Sequence, residues 1–89
     1  METRVAVIGV IIEEPGAAEK VNSVLHEYSA YIIGRMGIPY HSRRISIISI
    51  AVDAPQNMIS ALGGKLGRIE GVSAKTAYSN VVFTENEPE

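Results

Sequence analysis

The chain has 89 residues, of which 46% are hydrophobic, a formal net charge of −2 and no cysteine. This length fits one domain with a small core, and without cysteine neither a disulfide nor a thiolate-bound metal can stabilise it, so we expect chains to associate. The negative charge and the scattered basic residues disfavour direct binding to nucleic acids. No apolar run approaches the about 20 residues that a membrane span needs. We therefore expect a cytoplasmic protein whose partners are neither nucleic acids nor membranes.

The first predicted strand, residues 4–13, is apolar on both of its faces. Strands with this pattern are typical of sheets that are covered on both sides. Its alternating positions give Val5, Val7 and Ile11 on one face, and Ala6, Ile8, Val10 and Ile12 on the other.

A first helix is predicted to begin at Glu13-Glu14-Pro15-Gly16. Proline is tolerated in the first helical turn, and acidic side chains suit the positive end of a helix. An apolar stripe at helical spacing runs from Ala18 to Tyr28. A second strand is expected over residues 31–38, ending before Pro39.

The third predicted strand, residues 44–53, is again apolar on both faces, with Ile45 and Ile47 opposite Ile48, Ile50 and Val52. A second helix is expected to begin near residues 53–55 and to stop at Gly67 in a left-handed conformation. The fourth strand covers residues 72–79. We therefore predict one domain at residues 1–79 and a disordered, acidic tail at residues 80–89.

This order, βαββαβ, predicts an α+β protein of the ferredoxin-like type, with two helices on one face of a four-stranded antiparallel sheet. Two helices leave the other face bare, although the strands are apolar on that side as well. We therefore expect that face to contact a second copy of the chain, giving a homodimer or a higher oligomer.

Signals for catalysis are weak, and we predict that the protein is not an enzyme. No serine lies in a Gly-x-Ser-x-Gly turn, the glycines follow no phosphate-binding pattern, and His26 and His41 lack metal-ligand spacing. The sequence therefore predicts no metal site and names no cofactor. Of the two histidines, His41 lies in a turn between strands, where a ligand or a second copy could meet it, although an ordinary loop position explains it as well.

Three stretches, residues 25–40, 45–55 and 59–78, resemble the iron-only hydrogenase system regulators. The resemblance covers about residues 3–79, and its most specific part is Ser-Ala-Leu-Gly-Gly-Lys-Leu-Gly at residues 60–67. It implies a ferredoxin-like fold akin to ACT domains and to the effector domain of the nickel-responsive repressor. It also implies a stand-alone regulatory or ligand-sensing domain. The chain lacks the cysteine and paired strand histidines of that repressor's nickel site, so the same metal ligands are not expected.

The turn at residues 14–18 looks like the ACT-domain turn near which small effectors bind at a subunit boundary. We therefore predict an effector site formed by Glu13, Glu14, Pro15 and Gly16, with Arg35 as the counter-charge. Glu14 would pair with an ammonium group and Arg35 with a carboxylate. Alternatively, these residues only begin a helix and Arg35 is solvated. Two other functions stay open, a small dimeric enzyme of the ferredoxin-like type and a purely structural assembly module.

Overall fold

The computed structural model describes residues 2–84. Four strands and two α-helices follow the predicted order, with short 3-10 turns at Pro15–Ala17, Ser29–Tyr31 and His41–Arg43. The elements are β1 (Glu2–Ile12), α1 (Ala18–Glu27), β2 (Ile32–Tyr40), β3 (Ile45–Ala54), α2 (Gln56–Gly67) and β4 (Val72–Thr84).

The strands form one antiparallel sheet in the order β2-β3-β1-β4. The two strands with the strongest apolar patterns, β1 and β3, are therefore central neighbours, and both helices pack on one side of them. The predicted α+β, ferredoxin-like arrangement is confirmed.

The core lies between this sheet and the helices. Alternate residues of β1 and β3 face it, and the predicted division of β1 into two faces is correct, since Ala6 to Ile12 on the even positions are all at most 3% exposed. The largest fully buried side chains are Ile8, Val10, Val21, Leu25, Ile50, Val52, Ile59, Leu62 and Leu66.

An ion pair links the last turns of the two helices at the surface of the protein. Lys65 Nζ donates a hydrogen bond of 2.8 Å to Glu27 Oε2 and lies 5.2 Å from the centre of the Tyr28 ring. The hydrogen bond to Glu27 is the main cause that raises the pKa of Lys65 above its ordinary 10.5. The pair therefore favours the charged lysine in the folded protein.

Two strands run further than predicted. β2 continues through Pro39 to Tyr40. It is an edge strand with a neighbour on one side only, so the N–H that Pro39 lacks need not take part in the hydrogen bonds between strands. β4 continues from Ser79 to Thr84, since Val82, Phe83 and Thr84 pair with the first residues of β1 after a bulge. The predicted disordered tail thus begins inside a strand, and its last five residues, 85–89, lie outside the described part of the chain.

The predicted left-handed stop at Gly67 is wrong. Gly67 belongs to α2, and the glycine with a positive φ is Gly71, at 82°. Arg68 follows the helix in a right-handed conformation, so the chain turns over residues 68–71 before β4 begins. The reversal needs a left-handed residue only at its last position, where glycine carries no Cβ penalty.

Candidate functional site

The acidic part of the predicted site lies at the end of β1 and faces β4. The Glu13 N–H donates a 2.7 Å hydrogen bond to the Gly71 carbonyl, and Ser73 Oγ donates to Glu13 Oε1 at 3.4 Å. The Glu14 side chain covers Gly71 so closely that a Cβ on Gly71 would lie 2.7 Å from Glu14 Cγ. Both glutamates are therefore engaged with the β4 side of the turn.

Pro15 and Gly16 begin the short 3-10 turn that leads into α1. The Ala17 N–H donates to the Glu14 carbonyl at 2.9 Å, and neither the turn nor α1 has a side-chain cap. A Cβ built on Gly16 would meet no atom within 4 Å. The Gly16 backbone is thus open to solvent, so a ligand could approach it closely.

Arg35 stands apart from these four residues within one chain. It lies on β2, on the helix side of the sheet, and its Nη2 donates to Asn22 Oδ1 at 2.9 Å. Across the sheet, Arg35 on β2 pairs with Ile50 on β3, and Ile50 pairs with Ile8 on β1. Ile8 precedes Glu13 by five residues. At about 3.3 Å per residue this is about 16 Å along β1, with two strand spacings in addition. The five residues can form one site only where a second copy supplies Arg35, so that site stays a prediction.

The structure instead brings Pro15 together with the connection between β2 and β3. Ile12, Pro15 and Ala18 form one wall of a cleft of about 330 Å³, and residues 39–41 and 44–46 form the other. We call this space the hairpin cleft. Its walls are mostly apolar, and His41 and Arg44 are its basic side chains.

Arg44 owes its place in the cleft to a tight turn. The 3-10 turn His41–Arg43 ends where the Arg44 N–H donates to the His41 carbonyl at 3.2 Å, and Arg44 has φ 57° and ψ 36°. Among the described residues it is the one non-glycine residue with a positive φ. A left-handed arginine is uncommon, and such outliers concentrate at functional sites. The sequence signal was only the basic run His-Ser-Arg-Arg at residues 41–44, which did not reveal the cleft.

The second notable surface is the sheet face that the helices leave uncovered, which we call the open face. Val7 is 43% exposed, Ile11 42%, Ile47 39% and Ile38 51%. Ile38, Ile47 and Ile11 are successive partners across three strands, so they form a continuous apolar row. Beyond it the centre of the face is flat, because its positions there are the small residues Gly9, Ser49 and Ala51. Met36, which is 62% exposed, and Lys75 flank this centre on the two edge strands.

Two further features bear on function. Across residues 2–84 no three side chains of His, Asp or Glu are grouped in a way that could hold a metal ion. In the same stretch, no helix is long and apolar enough to cross a membrane.

Comparison with known proteins places this architecture in a family. A family model described as "TM1266-like: Iron-only hydrogenase system regulator, putative" matches residues 4–76. The chain belongs to this family. The predicted resemblance is thereby confirmed, and a regulatory role agrees with the description of the family.

Solved structures agree with the assignment. The uncharacterized protein TM1266 from Thermotoga maritima is 32% identical to the chain, with a TM-score of 0.82 over 85% of this chain and 96% of that one. A formyltetrahydrofolate deformylase from Pseudomonas putida KT2440 matches 86% of this chain and 29% of its own, with 11% identity and a TM-score of 0.63, and therefore shows a shared fold alone. No curated protein matches the sequence.

Proposed function

We propose that the protein is a non-enzymatic regulatory domain that works as a homo-oligomer and changes its association when a small effector binds. In this proposal it acts through protein partners or the effector in an iron-only hydrogenase system, without contacting DNA itself. The observation that carries the proposal is the open face, which presents an uncovered row of isoleucines at its centre.

The size of the open face suits a second copy of the chain. The molecule measures 46 Å by 19 Å by 19 Å, and the longest axis matches the length of β4, about 43 Å for its 13 residues. A face of these dimensions is of the same order as the about 800 Å² that each partner buries in a standard stable interface.

The composition of the open face supports the same occupant. Among its register positions, Lys75 and Asp53 are the charged residues, and Asp53 lies towards one end. The small central residues would let two sheets approach to the about 10 Å at which sheets pack face to face. Because a copy of the chain offers the same flat, apolar surface, an interface about a twofold axis is self-complementary.

The effector part of the proposal rests on the β1–α1 turn. Gly16 is open to solvent and Pro15 lines a cleft. Glu13, Glu14 and Arg35 contribute in this proposal only from a subunit boundary, since one chain does not bring them together.

Sedimentation of the purified chain tests the oligomer. We expect a dimer or larger species at concentrations of roughly tens of micromolar, as for an interface of standard size. The control variant Ser23→Lys adds the same charge as Ile47→Lys but on the exposed outer side of α1. It should sediment like the wild type, whereas Ile47→Lys should not. A well-folded wild-type monomer under these conditions would refute the homo-oligomer.

A further inference from the structure

The hairpin cleft carries an inference about what the protein binds. It lies where the end of β1 and the start of α1 face the β2–β3 connection, and Ile12 and Ser46 are direct partners in the sheet at its base. Its volume, about 330 Å³, falls at the small end of the range for ligand sites. A small molecule, and not a polymer, fits this space.

The basic groups of the cleft are donors, and the hydroxyl groups of its other polar residues, Tyr40 and Ser46, can donate or accept. The Arg44 guanidinium carries five N–H groups and the His41 ring at least one. Neither side chain has a hydrogen bond or ion pair with any residue of the described range 2–84. Both are exposed, so water holds these donors until a ligand replaces it. The planar fork of an arginine matches a carboxylate in a bidentate geometry.

The charges around the cleft favour an anion. None of the carboxylates of residues 2–84 is among the lining residues. The nearest in sequence, Glu13 and Glu14, are directed to Ser73 and Gly71 on the β4 side of the turn. An ammonium group in the cleft would thus meet two basic side chains and no counter-charge, so a zwitterionic amino acid suits it less than an anion.

The remaining walls favour an apolar body on that anion. Pro15 and Ala18 face Pro39 across the space, and Ile12, at 3% exposed, closes its base. Inorganic phosphate would leave these surfaces uncovered, whereas an aliphatic or aromatic group would remove them from water. The end of the cleft with Arg44 and His41 therefore suits a negatively charged group, and the remaining walls suit an apolar group.

We propose that the hairpin cleft binds a small organic carboxylate with an aliphatic or aromatic body, held by Arg44 and His41. This proposal names a chemical class for the effector in the proposed function, and its biological meaning rests on that function. Binding itself can be measured whether the chain is a monomer or an oligomer, so the two proposals fail separately.

Backbone amide shifts in a ¹H–¹⁵N NMR titration test the proposal, with benzoate as the probe. Benzamide and benzylamine are matched neutral and cationic probes, and inorganic phosphate is the anion without a body. We expect benzoate to shift the amides of Gly16, Ala18 and Ser46. Its affinity should be at least about tenfold higher than that of the three other probes, equivalent to 1.4 kcal/mol.

Two neighbouring arginines give a matched pair of variants. Arg44→Asn removes the charge and keeps a residue that tolerates the left-handed conformation, and it should weaken benzoate binding at least about tenfold. Arg43→Asn removes the same charge from a residue outside the cleft and should change the affinity by less than about twofold. His41→Gln should give an intermediate loss.

Several results would overturn the assignment of the carboxylate site to the hairpin cleft. One is that benzoate at about 10 mM, a concentration that detects even millimolar affinity, causes no amide shifts at the cleft. The others are that benzamide or phosphate binds as tightly as benzoate, or that the shifts centre on Asn22 and Arg35. Unchanged affinity in Arg44→Asn would also overturn it. If the wild type is a monomer but binds benzoate through Arg44, the oligomer is refuted and the cleft stands.

Discussion

Adjacent isoleucines on β3 separate the proposed interface from the core. Ile47 is 39% exposed on the open face, whereas Ile48 is 7% exposed and faces the helices. A lysine at either position introduces the same charge one residue apart, on opposite faces of the sheet. We therefore expect Ile47→Lys to remove association and Ile48→Lys to destabilise the fold strongly.

The expected magnitudes differ widely. Removing a buried isoleucine side chain costs about 2–5 kcal/mol even without a charge, and a domain of this size is stable by about 4–13 kcal/mol at 0.05–0.15 kcal/mol per residue. The buried charge adds to this cost, so Ile48→Lys should lose at least about 2–5 kcal/mol, and at about 4–8 °C per kcal/mol its Tm should fall by at least about 8 °C. Ile47→Lys should change the stability of the single chain by less than about 1 kcal/mol.

Ile47→Lys, which should change the stability of the single chain little, should weaken association strongly. In a face-to-face dimer of Ile47→Lys, the introduced ammonium group would lie beside Ile38 and Ile11 and be removed from water without a partner, so Kd should rise at least about 100-fold, or 2.7 kcal/mol. Sedimentation velocity gives the oligomeric state, and urea denaturation at a concentration where the variant is monomeric gives the stability. An Ile47→Lys variant that associates like the wild type, or that unfolds as easily as Ile48→Lys, would refute the assignment of the two faces.

Three further predictions follow from the turn, the helices and the charge. Gly71→Ala should lose at least about 1–2 kcal/mol in urea denaturation, because alanine at a φ of 82° is strained and its Cβ would lie 2.7 Å from Glu14 Cγ. Gly67→Ala, where a Cβ meets nothing within 4 Å, should not destabilise the protein. The difference in unfolding free energy between wild type and Lys65→Met should be constant from about neutral pH to the ordinary lysine pKa of 10.5 and shrink as pH rises through the raised pKa of Lys65; a difference that grows with pH over this range would contradict the Glu27 contact. The chain alone should not retain a DNA fragment sequence-specifically at physiological salt in a band-shift assay, and retention would contradict a regulator that acts without touching DNA.

The fold could be predicted because its signals are local and agree with one another. The two-sided apolar pattern of β1 and β3 marked central strands, and the stripe from Ala18 to Tyr28 marked the covering helix. The ends of elements were less accurate. β2 passes Pro39 and β4 passes Ser79 because pairing with a neighbouring strand decides where each one ends, and no local residue encodes that pairing.

The site was harder to predict because it depends on contacts between distant residues. Glu14 and Pro15 are adjacent, yet Glu14 covers Gly71 while Pro15 lines the hairpin cleft. The register that sets Arg35 opposite Ile50 decides its distance from the turn. The cleft itself depends on the left-handed Arg44, and nothing in the sequence marks an arginine for that conformation.

The hairpin cleft and the open face share two strands, and this gives the proposed regulation a physical basis. On β1, Ile12 lines the cleft and Ile11 belongs to the isoleucine row; on β3, Ser46 and Ile47 have the same two roles. Successive residues of a strand point to opposite faces, so a shift of the strand ends that fits a ligand on one side also moves the row on the other. A ligand changes association only by its difference in affinity between the free and associated chains. A sub-ångström displacement of Ile11 and Ile47 at the centre of the proposed interface would create that difference without any contact between ligand and partner.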